Sequence, residues 1–278
     1  MQRIDSSTLS KVPAVTLGFW IIKILATTLG ETAGDSVTMS WLGETTADAN
    51  PNGYLIGTGI FFSLLVVLVA IQIVAKRFNP LLYWATIIAS TTAGTTLADF
   101  ATRSIGIGYA GGSALLLSLV VLSLGIWYWS ERSISVDTVN TPRVEAFYWV
   151  TITFSQTLGT ALGDWMAASP SDPAATTGAL GLGYLGGAAV FGVALAVTAA
   201  LYFWTTISRV MLFWIAFILT RPLGATVGDF LDKPLDHGGL ALSRPLASAI
   251  LAALILVLIL VIPQRPSGRA HGAPAEAS

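Results

Sequence analysis

Apolar residues gather into eight long stretches, roughly 14–35, 54–75, 81–102, 108–129, 146–166, 180–203, 208–229 and 245–263. A helix needs about 20 mainly apolar residues to cross the hydrocarbon of a bilayer, and each stretch is near that length. The last begins at Pro245, a favoured first-turn position. The pattern predicts eight transmembrane helices and no separate soluble domain. The polar, Pro/Gly/Ala-rich segment 264–278 reads as a disordered cytoplasmic tail.

Composition supports an integral membrane class. The 278 residues are 54% hydrophobic and only 10% charged, against about 25% charged in ordinary soluble domains, and the mean hydropathy is +0.74. A net charge of −1 points to no polyanionic partner, so no nucleic acid is expected. The absence of cysteine removes disulfides, thiolate metal sites and cysteine nucleophiles. The two histidines, His237 and His271, fall in a loop and the tail, which excludes a histidine metal site inside the membrane. No cleavable signal peptide is expected, and the apolar run from Pro13 reads as the first span.

Charge sets an orientation. Arg3, Lys11, Lys76, Arg77, Arg132, Arg143, Arg209, Arg265 and Arg269 lie in termini and inter-repeat linkers, whereas Arg103, Lys233 and Arg244 lie at the opposite loops with Glu44, Asp48, Asp172, Asp232 and Asp236. The positive-inside rule then places both termini in the cytoplasm, and the expected location is a bacterial inner membrane.

Under the apolar pattern lies a repeat of period 64 or 65. Trp20, Trp84, Trp149 and Trp214 open it. Gly30, Gly94, Gly159 and Gly224 follow ten residues later, and Asp35, Asp99, Asp164 and Asp229 fifteen later. The copies read TTLGETAGD, TTAGTTLAD, QTLGTALGD and RPLGATVGD, and the second span opens with GYLIG, GYAGG and GYLGG in the first three. The units, about 12–77, 79–132, 142–205 and 207–263, form a single membrane domain over 1–263. Two spans per unit put all four in the same orientation, related by an axis along the membrane normal. A pseudo-fourfold ring or a pair of pairs follows. The fold class is all-α: eight transmembrane helices in four parallel two-helix repeats.

This pattern, over about 12–263, resembles a bacterial family of integral membrane proteins with four tandem two-span repeats, each with a tryptophan. The resemblance implies the architecture and no particular substrate.

Each repeated aspartate lies roughly 22 Å along its helix from the tryptophan, inside the bilayer, where an aspartate facing lipid is costly. All four are therefore expected to face the bundle interior and to converge near its axis. Glu31 shares the face of Asp35. With Lys23 and Arg221, the formal intramembrane tally is −3. Lys23 either points inward or snorkels to the interface, and Arg221 is expected to pair with an aspartate. Hydroxyls crowd the same segments, among them Thr27, Thr91, Thr95, Thr160 and Thr226, as ligands for a hard cation or as bonds to helix carbonyls. The glycines either allow close helix approach or mark helices that unwind to offer carbonyls. The tryptophans and Tyr54, Tyr109 and Tyr184 are expected to anchor the bundle at the interfaces.

The functional expectation is a membrane transporter for a cation, a divalent metal such as manganese, held by Asp35, Asp99, Asp164, Asp229 and Glu31. Lys23, Arg221, the four glycines and the four tryptophans support the site. No permanently bound cofactor is expected, and the partners are membrane lipids and the cation. The alternative is a structural or sensory membrane protein whose aspartates only stabilise helix packing. A remote one is an intramembrane aspartyl protease, for which Gly163-Asp164 and Gly228-Asp229 lack the first glycine of the G-x-G-D element. An enzyme is not expected.

Overall fold

The computed structural model describes residues 9–43, 52–169 and 178–268. Arg3, Glu44, Asp48, Asp172, Arg269, His271 and the Asp236 side chain, all weighed above, lie outside that description.

Eight α-helices run in order: α1 Leu17–Asp35, α2 Gly53–Val74, α3 Pro80–Asp99, α4 Gly108–Glu131, α5 Pro142–Ala167, α6 Gly183–Trp204, α7 Arg209–Asp232 and α8 Arg244–Val261. Each first helix of a repeat starts on a side-chain N-cap: Thr16, Asn79, Thr141 and Ser208 accept a backbone N–H of the first turn. The second helices have no such cap. Gly108 and Gly183, which open α4 and α6, have φ of 70° and 69°, a conformation that glycine adopts without strain. After their aspartates, α1 and α3 widen into π-helical turns, Ser36–Trp41 and Phe100–Ser104.

The first helices form a closed ring. α1 packs on α3, α3 on α5, α5 on α7, and α7 back on α1. This resolves the choice between a ring and a pair of pairs. The second helices form an outer layer shifted by one unit: α2 packs on α3, α4 on α5, α6 on α7, and α8 returns to α1. Each repeat thus covers its neighbour, and the last closes onto the first.

The polarity is that of a membrane protein. Large apolar side chains such as Val66, Val121, Val193 and Leu260 are exposed on the outer layer, while threonines, carboxylates and cations are buried in the ring. Five helices, α2, α4, α6, α7 and α8, are long and apolar enough to span a bilayer by length and composition. The others, α1, α3 and α5, carry polar side chains that the ring shields.

The segments before α1 and after α8 meet at the linker end of the bundle. Pro13 bridges Pro266, and the Ser267 N–H donates to the Val12 carbonyl. The tail expected to be free from 264 is therefore packed through its first five residues, because the strand-like segment before α1 supplies backbone partners. Lys11 Nζ donates to the Gln72, Ile73 and Ala75 carbonyls at the end of α2 and pairs with Glu145 at 2.5 Å. Cations near helix C-termini satisfy such carbonyls.

Candidate functional site

Counting from each tryptophan exposes how the ring is built. Ten residues on, a glycine of one copy receives the residue seven after the tryptophan of the next. A side chain at Gly30 would overlap Thr91, one at Gly159 would overlap Arg221, and one at Gly224 would overlap Thr27. A Cβ at Gly94 would lie 2.9 Å from the backbone of Gln156 and Thr157. One turn on, Gly34 faces Thr95, Gly163 faces Ala225 and Gly228 faces Glu31. The glycines therefore act in packing. The segments holding them are continuous α-helix, including α7 across Pro222, so they are not unwound to offer carbonyls.

Positions spaced by four then stack into layers along the axis. The residue before each tryptophan gives Phe19, Tyr83, Tyr148 and Phe213, each packed on the tryptophan of an adjacent copy. Ring centroids lie 5.4 Å apart for Phe19–Trp84, 5.8 Å for Tyr83–Trp149, 6.3 Å for Tyr148–Trp214 and 5.7 Å for Phe213–Trp20. The Tyr83 and Tyr148 hydroxyls share a 2.6 Å hydrogen bond. Trp84, Trp149 and Trp214 are buried in this aromatic layer and Trp20 is half-buried. Their expected role as interfacial anchors is corrected: neighbouring copies supply aromatic partners that draw the rings inward. Tyr54 and Tyr109 are likewise buried.

Above the aromatics lie Lys23, Ile87, Ile152 and Phe217, all fully buried. Lys23 does not snorkel. Its Nζ sits 4.1 Å from the Phe217 ring centroid and donates weakly to Gln156 Oε1 at 3.4 Å. The next layer is Thr27, Thr91, Gln156 and Arg221; the one beyond is Glu31, Thr95, Thr160 and Ala225. Arg221 Nη2 pairs with Glu31 Oε2 at 2.9 Å and donates to Thr95 Oγ1 at 2.7 Å and Thr160 Oγ1 at 2.5 Å. Its expected partner was an aspartate. It reaches Glu31 instead, because the two lie on layers one turn apart across the α7–α1 seam. One guanidinium thereby ties α7 to α1, α3 and α5.

The aspartate layer divides. One carboxylate oxygen from each of Glu31, Asp35 and Asp229 lies within 4.8 Å of the others. Asp99 pairs with Arg103 Nε at 3.1 Å, and Asp164 feels the charges of Arg103, Asp99 and Asp229. The four aspartates and Glu31 thus lie within electrostatic reach of one another, as expected, and Glu31, Asp35 and Asp229 form the tightest group. Lys233 Nζ bonds Asp35, lies 2.9 Å from Asp229 Oδ1 and 3.8 Å from Asp232 Oδ1, and Arg244 Nε lies 3.4 Å from Asp232 Oδ2. Asp35 Oδ1 is buried with no hydrogen-bond partner among the described residues.

Arg103 and Lys233 were assigned to loops from sequence. They stand four residues after Asp99 and Asp229, at the offset of Met39 and Ala168 in the other copies; Arg103 lies in the π-helical turn after α3, and Lys233 is the residue just past α7. That i, i+4 relation was the available signal. They change the formal charge of the axial column from −3 to −1.

The chain matches a family described as Repeat of Unknown Function (DUF347) four times, at residues 18–78, 82–133, 147–208 and 212–263. No curated protein and no solved structure matches it.

Proposed function

From the premise that the chain belongs to the DUF347 repeat family, we propose that it is a membrane transporter for a cation, a divalent metal such as manganese, bound by Glu31, Asp35 and Asp229. The observation that carries this reading is the buried three-carboxylate cluster with Asp35 Oδ1 unpartnered among the described residues. Carboxylate oxygens without imidazole or thiolate suit hard cations. Lys233 holds the place of a cation between Asp35 and Asp229, so an incoming ion competes with a tethered ammonium. The unequal copies favour a carrier over an open pore. An ion leaving the cluster toward the linker end meets the Arg221 guanidinium and the Lys23 side chain, and then the aromatic layer. Location in a bacterial inner membrane with cytoplasmic termini belongs to the same proposal, since basic residues concentrate at the linkers.

A second reading has an observation of its own. Glu31, Asp35, Asp99, Asp229 and Asp232 each have an internal cation partner, as expected if the charges only join helices. The Lys233 ammonium between Asp35 and Asp229 argues against two carboxyls sharing a proton, as an aspartyl protease requires. Asp35→Asn and Asp229→Asn, assayed for metal uptake into liposomes and for cellular metal content by elemental analysis, separate the readings. Folded variants with lost flux support transport. Unchanged flux in both sinks it, and misfolding of both favours the structural role.

A further inference from the structure

The layers of Lys23 and Arg221 contain a second set of buried groups that the carboxylate cluster does not use. Lys23 forms no ion pair among the described residues: its neighbours are the Gln156 side-chain Oε1 at 3.4 Å and the face of Phe217. Arg221 meets Glu31, Thr95 and Thr160 through Nη2 alone, and its Nε and Nη1 are buried without a hydrogen-bond partner among the described residues. Gln156 Nε2 and Thr91 Oγ1 share that condition. All four side chains are fully buried. Unpartnered buried N–H groups are costly, and a buried cation without a counter-charge is more so.

These groups occupy two adjacent levels of the ring. Thr91, Gln156 and Arg221 form a single layer, contributed by α3, α5 and α7. Lys23 on α1 lies one turn below, held between Gln156 and Phe217. Four residues of helix separate the layers by about 6 Å along the axis. The heads are close enough to interact: the Arg221 charge acts on Lys23, Lys23 Nζ lies 3.4 Å from Gln156 Oε1, and Arg221 Nη2 lies 3.5 Å from the Thr91 carbonyl. Glu31 already serves Nη2, on the other side of the guanidinium. We propose that Lys23, Arg221, Gln156 and Thr91 bind a small inorganic anion of the halide class, with Lys23 and Arg221 supplying charge and the Gln156 amide and Thr91 hydroxyl supplying oriented donors. Ile87, Ile152 and Phe217 line the same level and are fully buried, which favours a small, weakly hydrated anion over a bulky oxyanion. The site stands apart from the cation cluster and does not depend on transport of a cation.

The test uses the full-length protein in detergent, at constant ionic strength, with chloride or bromide replacing gluconate. The wild type is expected to show a saturating rise in Tm with halide, and Asp35→Asn to keep it, which separates this site from the carboxylate cluster. Lys23→Met is expected to lose the response. Gln156→Glu, which sets a carboxylate beside Lys23, is expected to remove the need for halide and to show gluconate-insensitive stability. Bromide anomalous scattering between residues 23 and 221 gives direct support. A wild type indifferent to halide overturns the proposal, and so does a halide response unchanged in both Lys23→Met and Gln156→Glu. An indifferent wild type would leave Lys23 as a neutral amine.

Discussion

The seams between the ring helices and the axis they enclose lie only one side chain apart. At the seams, Gly30 receives Thr91, Gly94 receives the Gln156–Thr157 backbone, Gly159 receives Arg221 and Gly224 receives Thr27. Every copy uses a glycine at the same offset. At the same depth, the axis presents threonine twice, glutamine once and arginine once, and one turn further glutamate, two threonines and alanine. The seam is a matter of steric fit, and any copy that lost its glycine would open the ring. The axis is a matter of charge balance, which only the four copies together must satisfy. Repetition therefore persists where packing is pairwise, and divergence gathers where the copies share one interior.

The sharpest way to break this contrast is on the axis. Arg221→Met leaves Glu31 buried without its cation, and breaking a buried pair from one side costs about 3–5 kcal/mol. The expected result is a large fall in folded yield and in Tm, measured by fluorescence-detected size exclusion. Arg221→Met with Glu31→Gln should recover most of the loss, since no charge is then stranded. If the double variant is as damaged as the single one, the axial layer depends on shape rather than charge.

The seam gives the next effect. Gly94→Ala sets a methyl 2.9 Å from backbone atoms of Gln156 and Thr157, which cannot swing aside as a side chain can. Overpacking of this sort costs about 1–3 kcal/mol. Gly59 on α2 has no atom within 4 Å of its Cβ position, so Gly59→Ala is the matched control and should be neutral or slightly stabilising. Equal Tm changes for the two would mean that the ring seams are not tight.

A third effect tests the cluster at the loop end. Lys233→Met removes the cation that Asp35 and Asp229 share. Stability should then depend on added divalent metal, with a gain of about 2.7 kcal/mol at a metal concentration 100 times the dissociation constant. The wild type, which carries its own ammonium, should respond less. A variant as insensitive to metal as the wild type counts against a cation position there.

Much of this arrangement was legible in the chain. The spacing of tryptophan, glycine and aspartate predicted the four units, and the even number of spans per unit predicted their common direction. What escaped was whatever depends on which copy meets which. Ring closure by α8 on α1, and the covering of each repeat by its neighbour, leave no trace in a repeat read singly. Arg103 lies in a helical turn and not a loop, because hydropathy ends a span at the first cluster of charges whereas the helix runs on, and Lys233, just past α7 as expected, turns back onto Asp35 and Asp229. The tryptophans were misread because an aromatic near a span end has two good environments, the interface and an aromatic neighbour. Only the ring supplies the neighbour.

That last ambiguity yields the smallest test. Trp84 is fully buried, packs at a tilt against Phe19 and donates Nε1–H to Gln264 Oε1 at 3.2 Å, whereas Trp20 at the equivalent position is only half-buried. Phenylalanine at 84 keeps an aromatic face but removes the donor and the second ring. It should cost about 1 kcal/mol for the lost hydrogen bond and somewhat more for the incomplete filling. The same change at 20 removes less buried surface and should cost less. The Gln264 bond adds a local signature, because it ties the aromatic layer to the segment that pairs with Val12 and Pro13. Trp84→Phe should therefore speed amide hydrogen exchange at Ser267, whose N–H donates to Val12, and Trp20→Phe should not. Were both changes to leave exchange at Ser267 untouched, the aromatic layer and the paired segments before α1 and after α8 would be independent pieces of the linker end rather than one.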